Sequence, residues 1–395
     1  MKKLMLCISA GEWAGIQHRP HHFMKRSAKT GWTVLYLEPP ATIISPLKNI
    51  KMLKRWANWL KGLRHQEENI YLLAPPPILP FANKLRAINR FNQWLISRTI
   101  KRSIKSTNIT FSSIDMYSFL PNAVDLLNLL ELDRVIYDCV DDHASFTGFI
   151  RPRTVYKMEK ELMKRADVSF ATAKQLMTDR DGWSNNFHLI PNGAEYEHFA
   201  VASKDDGYIP TDIKELRYPI VGFVGGISDW IDIALIADVA KQMKDIRFLL
   251  IGPIATDVEQ LRKLHNVQML GAKRYKELPS YIKHFDICLI PFKINKLTES
   301  VNPIKLFEYF STGKPIISTP LPEVVAYSHV VEIIHNAQEM IDAIRKIIAL
   351  GIKNDPRTKE REQLGKENSW DARWQSAINY IEAGQAKEKE IDVTG

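Results

Sequence analysis

Short apolar runs alternate with helical stretches along nearly the whole chain, which predicts repeated strand–helix–strand units and parallel sheets. In the first half, buried-strand runs are expected at 3–9, 32–37, 70–73, 109–112, 135–140, 168–172 and 188–190. A helix over 21–30 stops at Gly31. The turn Pro191-Asn192-Gly193 and the polar stretch 202–215 then read as a linker. After it the pattern restarts, with strands at 220–224, 247–251, 267–270, 287–290, 315–319 and 330–334 and a helix over 337–350. Ser228 or Asp229 is expected to cap a helix over 230–243. Two successive arrays imply an α/β fold of two Rossmann-like parallel-sheet domains facing across a cleft. A last helix, 369–383, sets Trp370, Trp374, Ile378 and Ile381 on one stripe, so it must pack against something large.

Length agrees with this division, because 395 residues suffice for two domains with separate cores. No apolar run approaches the roughly 20 residues that span a bilayer. The apolar run at 4–8 is too short for a signal peptide and reads as the first strand. Cys7, Cys139 and Cys288 are far apart in apolar runs, as expected of buried reduced thiols in a cytosolic protein.

Charge changes the picture more. The chain carries +9 overall, yet 39–114 alone holds thirteen Lys and Arg against two acids. Two basic amphipathic helices are predicted there. The first, 47–64, sets Leu47, Ile50, Leu53, Trp56 and Leu60 on one stripe among Lys48, Lys51, Lys54, Arg55, Lys61 and Arg64. The second, 83–105, does the same with Leu85, Ile88, Phe91, Leu95 and Ile96. Such helices suit an anionic membrane surface. The alternative is that their stripes pack on the sheet. No recognition motif supports nucleic acid.

Candidate chemistry gathers where strands are expected to end. In 285–322, Asn302-Pro303 opens a short helix over 303–312, Lys305 lies in its first turn, and Glu308 follows on the same face. The helix dipole disfavours a cation there, which suggests a phosphate to hold. Glu308 suits sugar hydroxyls; a solvated pair is the plain alternative. Gly225-Gly226 lets backbone approach a ligand. Asp141, Asp142 and His143 end a strand, where a general base or a hydroxyl clamp would sit; a helix cap is the alternative. Arg19, His21 and His22 follow the first strand and suit anion pairing or proton transfer. No metal site is predicted: the adjacent histidines lack ligand spacing, and Asp179-Arg180-Asp181 reads as surface.

These residues resemble the bacterial GT-B glycosyltransferases of the retaining family 4 type, closest to those assembling cell-surface polysaccharides such as teichuronic acid. The likeness runs through GFVGGISDWIDIALIADVA, FLLIGP, LPSYIKHFDICLIPF and NPIKLFEYFSTGKPIIST. In the first half it runs through RPHH, VLYLEPP, VIYDCVDDHASF and the hinge IPNGAEYEHF. It implies an acceptor-side domain over 1–200, a nucleotide-sugar domain over 201–365, a helix over 366–384 crossing back, and a charged tail over 385–395. It also implies that Glu308 binds the ribose, that Lys305 and amides near Asn302 bind the diphosphate, and that Gly225 and Gly226 lie beside the phosphates. Asp141 and Asp142 would face the reacting sugar, and Arg19, His21 and His22 the acceptor. Many members carry a second acid eight positions before the one matching Glu308; here that position is Ser300, with Glu299 beside it. An arginine common after the second domain's first strand is missing, and Lys273 or Arg274 would supply its charge.

The resulting expectation is a metal-independent hexosyltransferase without a cofactor. It would move a sugar from a nucleotide-diphosphate sugar to a glycan or lipid-linked acceptor, with retention, in cell-surface polysaccharide assembly. It would sit in the cytoplasm, peripheral on the inner membrane face and bound to anionic lipid, and bind no nucleic acid. The rivals are a nucleotide-sugar epimerase on the same architecture and a non-catalytic nucleotide-sugar-binding module.

Overall fold

Runs of β-branched and large apolar residues, bounded by turn chemistry, form two separate sheets. The computed structural model describes residues 2–107, 110–146, 148, 150–203, 208–216, 219–351 and 354–392. The chain divides into one unit of Met1–Ile190 with Trp374–Gly395 and a second of Pro191–Arg373. The break thus falls nearer Pro191 than the expected 200, and the return at 373 rather than 365.

The first unit contains β1 (Lys2–Ile8), β2 (Trp32–Leu37), β3 (Leu63–Glu67), β4 (Ile70–Leu73), β5 (Phe111–Ser118), β6 (Arg134–Cys139), β7 (Val168–Ala171) and β8 (Phe187–Leu189). Their order is β3-β4-β2-β1-β5-β6-β7-β8, parallel except for the β3–β4 pair. The second unit contains β9 (Ile220–Val224), β10 (Arg247–Ile251), β11 (Val267–Met269), β12 (Ile287–Ile290), β13 (Ile316–Ser318) and β14 (Glu332–Ile333), all parallel, in the order β11-β10-β9-β12-β13-β14. Strand order reverses direction beside β1 and beside β9. In open parallel sheets the carboxyl edge at such a point is where ligands bind.

Each unit has its own apolar core. The three cysteines are free and buried. In the first unit, charges are buried in pairs. Asp115 on β5 is fully buried, accepts from Trp32 Nε1 at 3.0 Å, and pairs with Arg134 at 2.7 Å. Arg134 also donates to the Ile381 carbonyl at 3.0 Å, tying the last helix to this sheet. Trp374 meets Phe23 edge to face at 5.4 Å, and Tyr380 stacks on His188 at 3.7 Å.

Several expectations are corrected. The single helix over 47–64 is broken. Asn49 leaves helical geometry and accepts from the Lys51 N–H, a helix resumes over Leu53–Leu60 (α1), Gly62 stops it at φ 66°, and Leu63 begins β3. Most of its apolar stripe stays in the open: Leu47, Ile50, Leu53 and Leu60 are exposed, while Trp56 is half-buried. The second basic helix, Arg86–Ser106 (α2), turns the other way, burying Asn89, Asn92, Gln93, Ile96 and Ile100 while Leu85, Phe91 and Trp94 are exposed. The strand expected at 109–112 is β5, longer and later; Ile109 lies outside the described residues. Part of the supposed linker is packed structure, since Ile213 enters the second core and Asp212 pairs with Lys273 at 2.6 Å.

Replacing Arg134 by Leu strands the Asp115 carboxylate without its partner and is expected to cost about 3–5 kcal/mol. The urea midpoint should fall accordingly. The double variant Arg134→Leu/Asp115→Asn should recover part of the loss; equal loss in both variants would show that the pair is not the cause.

Candidate functional site

At the carboxyl edge of the second sheet the backbone itself comes close. Gly225 N–H donates to the Ile251 carbonyl at 2.8 Å, and Gly252 N–H to the Gly271 carbonyl at 2.9 Å. A Cβ at residue 252 would overlap the Gly225 carbonyl oxygen, and one at 225 would lie 2.7 Å from the Phe223 ring. Packing therefore requires both glycines. Gly226 differs. A Cβ there would meet nothing nearer than Ser228 Oγ at 3.8 Å, so the protein does not itself use the missing side chain.

The following loop is fixed by pairing rather than by the expected cap. Ile231 bridges Phe292, Asp232 N–H donates to the Pro291 carbonyl at 2.8 Å, and Asp232 caps the helix Ile233–Gln242 (α3) by accepting from the Leu235 N–H at 3.0 Å. The helix thus starts three residues later than predicted. Asp229 instead accepts from Thr256 Oγ1.

Helix α4 (Ile304–Phe310) has Pro303 at its N-cap rather than inside the first turn. Leu306, Phe307, Tyr309 and Phe310 are buried, and Tyr309 Oη accepts the Val224 N–H at 2.9 Å, locking the helix to the end of β9. Lys305 and Glu308 pair on the remaining face, the lysine side chain 21% exposed and the carboxylate 5%. A carboxylate this buried is fixed in place. It leaves a cation and an acceptor group adjacent to each other, the combination a phosphate-linked sugar calls for.

Asn302 is committed to the protein. Its Oδ1 accepts the Asn192 N–H at 2.9 Å, its carbonyl accepts Asn192 Nδ2 at 2.8 Å, and its Nδ2 donates to Glu323 at 3.2 Å. Its side chain is thus a clamp rather than a donor-binding group. Glu299 is exposed beside the buried Ser300. Arg274 is exposed and paired with Glu277 at 2.5 Å, while Lys273 is held by Asp212. None of these three is gathered with Lys305 by a described contact.

In the first unit the two acids after β6 part company. Asp142 is buried, accepting from Arg180 at 3.2 Å, from Tyr156 Oη at 3.3 Å and from Ser145 Oγ. Arg180 is fully buried and also holds Glu159 at 2.7 Å; Glu159 in turn accepts from Tyr137 Oη at 2.8 Å. The neighbouring Asp141 side chain accepts no hydrogen bond from a described residue. Burial and, secondly, the Asp142 charge push its carboxyl from 3.8 up to about 7. A neutral or ionised Asp141 is therefore available near neutral pH, whereas Asp142 is structural. His143 donates from Nε2 to the Phe119 carbonyl at 3.1 Å, and burial lowers its pKa.

The acceptor-side trio is corrected. Arg19 is buried against Asp138 at 2.7 Å, which also accepts from Tyr117 Oη at 2.8 Å. His21 is fully buried between Trp13 and Tyr36. Its Nδ1 accepts the His18 N–H at 3.1 Å, its Nε2 donates to the Glu12 carbonyl at 3.1 Å, and burial lowers its pKa to about 4. His22 is 4% exposed. These side chains hold the loop after β1 and offer an acceptor little surface. Arg180, expected at the surface within Asp179-Arg180-Asp181, is buried, and Glu38, which no motif marks, accepts the Trp13 N–H at 3.2 Å and pairs with Arg64. Only the position of Glu38 at a strand end marked it. Among the described residues, no group of three or more His, Cys, Asp or Glu is gathered as a metal ligand set.

Comparison with known proteins points one way. Residues 218–349 match the family described as "Glycosyl transferases group 1". The chain is 30% identical over 285 residues to the Bacillus subtilis protein named "Putative teichuronic acid biosynthesis glycosyltransferase TuaH", covering 67% of this chain and 70% of that one. Two solved structures superpose over nearly the full length. The trehalose 6-phosphate synthase of Burkholderia multivorans does so with a TM-score of 0.68 at 10% identity, over 98% of this chain and 99% of that one. HepE of Anabaena, in complex with UDP and glucose, does so with a TM-score of 0.63 at 14% identity, over 97% and 100%. The architecture of two parallel-sheet domains is the GT-B fold.

The raised Asp141 pKa has a stability consequence. Its folded pKa lies above the unfolded value, so its contribution is fully present below about pH 4 and is lost as pH rises toward about 7. Asp141→Asn should therefore gain stability relative to the parent between pH 4.5 and pH 8 in urea unfolding. Parallel curves at both pH values would contradict the assignment.

Proposed function

The chain belongs to the group 1 glycosyltransferases, and from that premise we propose that it transfers a sugar from a nucleoside diphosphate donor to a glycan or lipid-linked acceptor in cell-surface polysaccharide assembly. The observation that carries the donor assignment is the Lys305–Glu308 pair, held on a helix that Tyr309 locks to the end of β9. In this reading Glu308 accepts hydrogen bonds from ribose hydroxyls. Lys305 and the first-turn amides of α4 take the diphosphate, and the open side of Gly226 admits its oxygens. The name of the teichuronic acid relative supports the polysaccharide setting, and the UDP complex of HepE is in keeping with a nucleotide donor.

Transfer breaks the bond between the anomeric carbon and the diphosphate oxygen, and the electron pair leaves with the diphosphate. The acceptor hydroxyl oxygen bonds to that carbon and releases its proton. Lys305 offsets the charge growing on the leaving group, and Asp141, poised near pH 7, is the first unit's candidate for the proton. We read the reaction as retaining and metal-independent. No described helix is long and apolar enough to cross a membrane. The exposed Leu47, Ile50, Leu53 and Leu60, interspersed with Lys51, Lys54 and Lys61, support peripheral attachment to an anionic membrane at its cytoplasmic face.

Thermal-shift screening of nucleoside diphosphates in EDTA should find a stabilising ligand. Calorimetry should then show Glu308→Ala and Gly226→Val each weakening that ligand at least about 10-fold, which is about 1.4 kcal/mol, with little loss of melting temperature. Unchanged affinity in both variants would remove the site. Binding to phosphatidylglycerol vesicles should fade with salt and drop in Leu47→Ser/Ile50→Ser; equal binding to neutral vesicles would contradict an electrostatic attachment.

A further inference from the structure

The chain crosses from the first unit into the second between Ile190 and Pro191 and returns between Arg373 and Trp374. Within the second unit the two crossing segments lie against each other. Ala194 bridges Ser369 in parallel, the Ala194 N–H donates to the Asn368 carbonyl at 3.2 Å, and the Trp370 N–H donates to the Ala194 carbonyl at 2.9 Å. Arg373 Nε donates to the Asn192 carbonyl at 3.1 Å, and its Nη2 donates to Asn368 Oδ1. The fit leaves no room for a side chain at Gly193, whose Cβ would lie 2.6 Å from the Asn368 carbonyl oxygen.

Both segments also grip α4. The entering one does so through Asn302, the residue before the N-cap Pro303. The Asn192 N–H donates to Asn302 Oδ1 and Asn192 Nδ2 to the Asn302 carbonyl, so the two asparagines are joined twice. The returning one does so through Arg373, whose guanidinium lies over the Phe307 ring at 5.7 Å. Asn192 is buried, and its Oδ1 accepts from no described residue. A buried acceptor left unpaired is costly, so this side chain is kept for its donor alone, and that donor is spent on the turn that starts α4.

We propose that Asn192 is a positioning residue for donor binding: acting through Asn302, it fixes the start of α4 and with it the Lys305–Glu308 pair. The proposal rests on the donor reading above and adds the residue that holds that site in place. A helix of seven residues does not hold itself together in water, so the placement of its side chains depends on what anchors it. Tyr309 anchors the far part of α4 to β9, and the asparagine pair anchors its beginning, where Lys305 stands. Without the second anchor the first turn is free to shift, and small misplacements of groups that position a substrate are expensive.

Asn192→Ala gives up one hydrogen bond and also removes the buried acceptor, so the melting temperature should change little. In the absence of nucleotide, hydrogen–deuterium exchange of this variant should speed up at 304–308 and match wild type across both sheets. UDP, GDP, ADP and dTDP are then titrated calorimetrically into both proteins. The one that binds wild type most tightly should bind Asn192→Ala at least about 5-fold more weakly, the low end of ordinary coupling between linked sites. Gly193→Ala, which pushes the crossing segments apart and alters neither asparagine, should do the same. Unchanged exchange at 304–308, or faster exchange spread over the whole second unit, would overturn the proposal, while the donor reading would still stand or fall with Glu308→Ala. Faster exchange at 304–308 with nucleotide affinity equal to wild type in both variants would sink the donor reading instead, because the helix would have loosened without the ligand responding. Failure of all four nucleotides to bind wild type would remove the donor reading and this role with it.

Discussion

A single close approach of backbone to backbone governs the second unit's carboxyl edge. Residue 252 can only be glycine, because the Gly225 carbonyl occupies the place of its Cβ. That approach pulls the loops after β9 and β10 together and leaves the Cα of Gly226 facing open space, while the flanking Gly225 and Ile227 N–H groups donate to the Ile251 and Pro253 carbonyls. The same strand end supplies the Val224 N–H that Tyr309 holds. A cation and a carboxylate on α4 are therefore fixed relative to the glycine turn by rigid elements, not by loops. Preorganisation of this kind is what lets charged groups stabilise a leaving diphosphate without reorganising first.

The first unit solves a different problem. Asp115, Asp138, Asp142 and Glu159 are all buried, and each has an arginine against it. Removing one member of such a pair costs far more than the pair contributes, so they act as rigid pins for the strand ends. Pairing Asp142 so completely leaves Asp141 as the acid whose charge is not already committed. Burial and the neighbouring Asp142 charge raise the Asp141 pKa, and a carboxyl so tuned suits an acid–base role.

Much of this was legible in the sequence. Period-two and continuous apolar runs located most strands, and Gly-Gly and the Lys-x-x-Glu spacing marked the second unit's edge, because those signals are local. What failed was nonlocal. β5 contains Ser112, Ser113 and Asp115, so it does not read as a central strand until Arg134 and Trp32 are known to meet it. The helix α2 buries Asn89, Asn92 and Gln93 instead of Phe91 and Trp94, since its amides bind Leu79 and Asn122 carbonyls that no periodicity reveals. Arg19 and His21 carry the right chemistry for a site, but partners 119 and 9 residues away consume them. Chemical capacity is written in residue type; availability is decided by tertiary partners.

The central claim is that the phosphate-linked donor seats on the glycine turn and the first turn of α4. Hydrogen–deuterium exchange, with and without the nucleoside diphosphate that most raises the melting temperature, reads this amide by amide. Slowed exchange concentrated at 225–228 and 304–308 is the expected result. Protection confined to other strand ends, with those two segments unchanged, would contradict it.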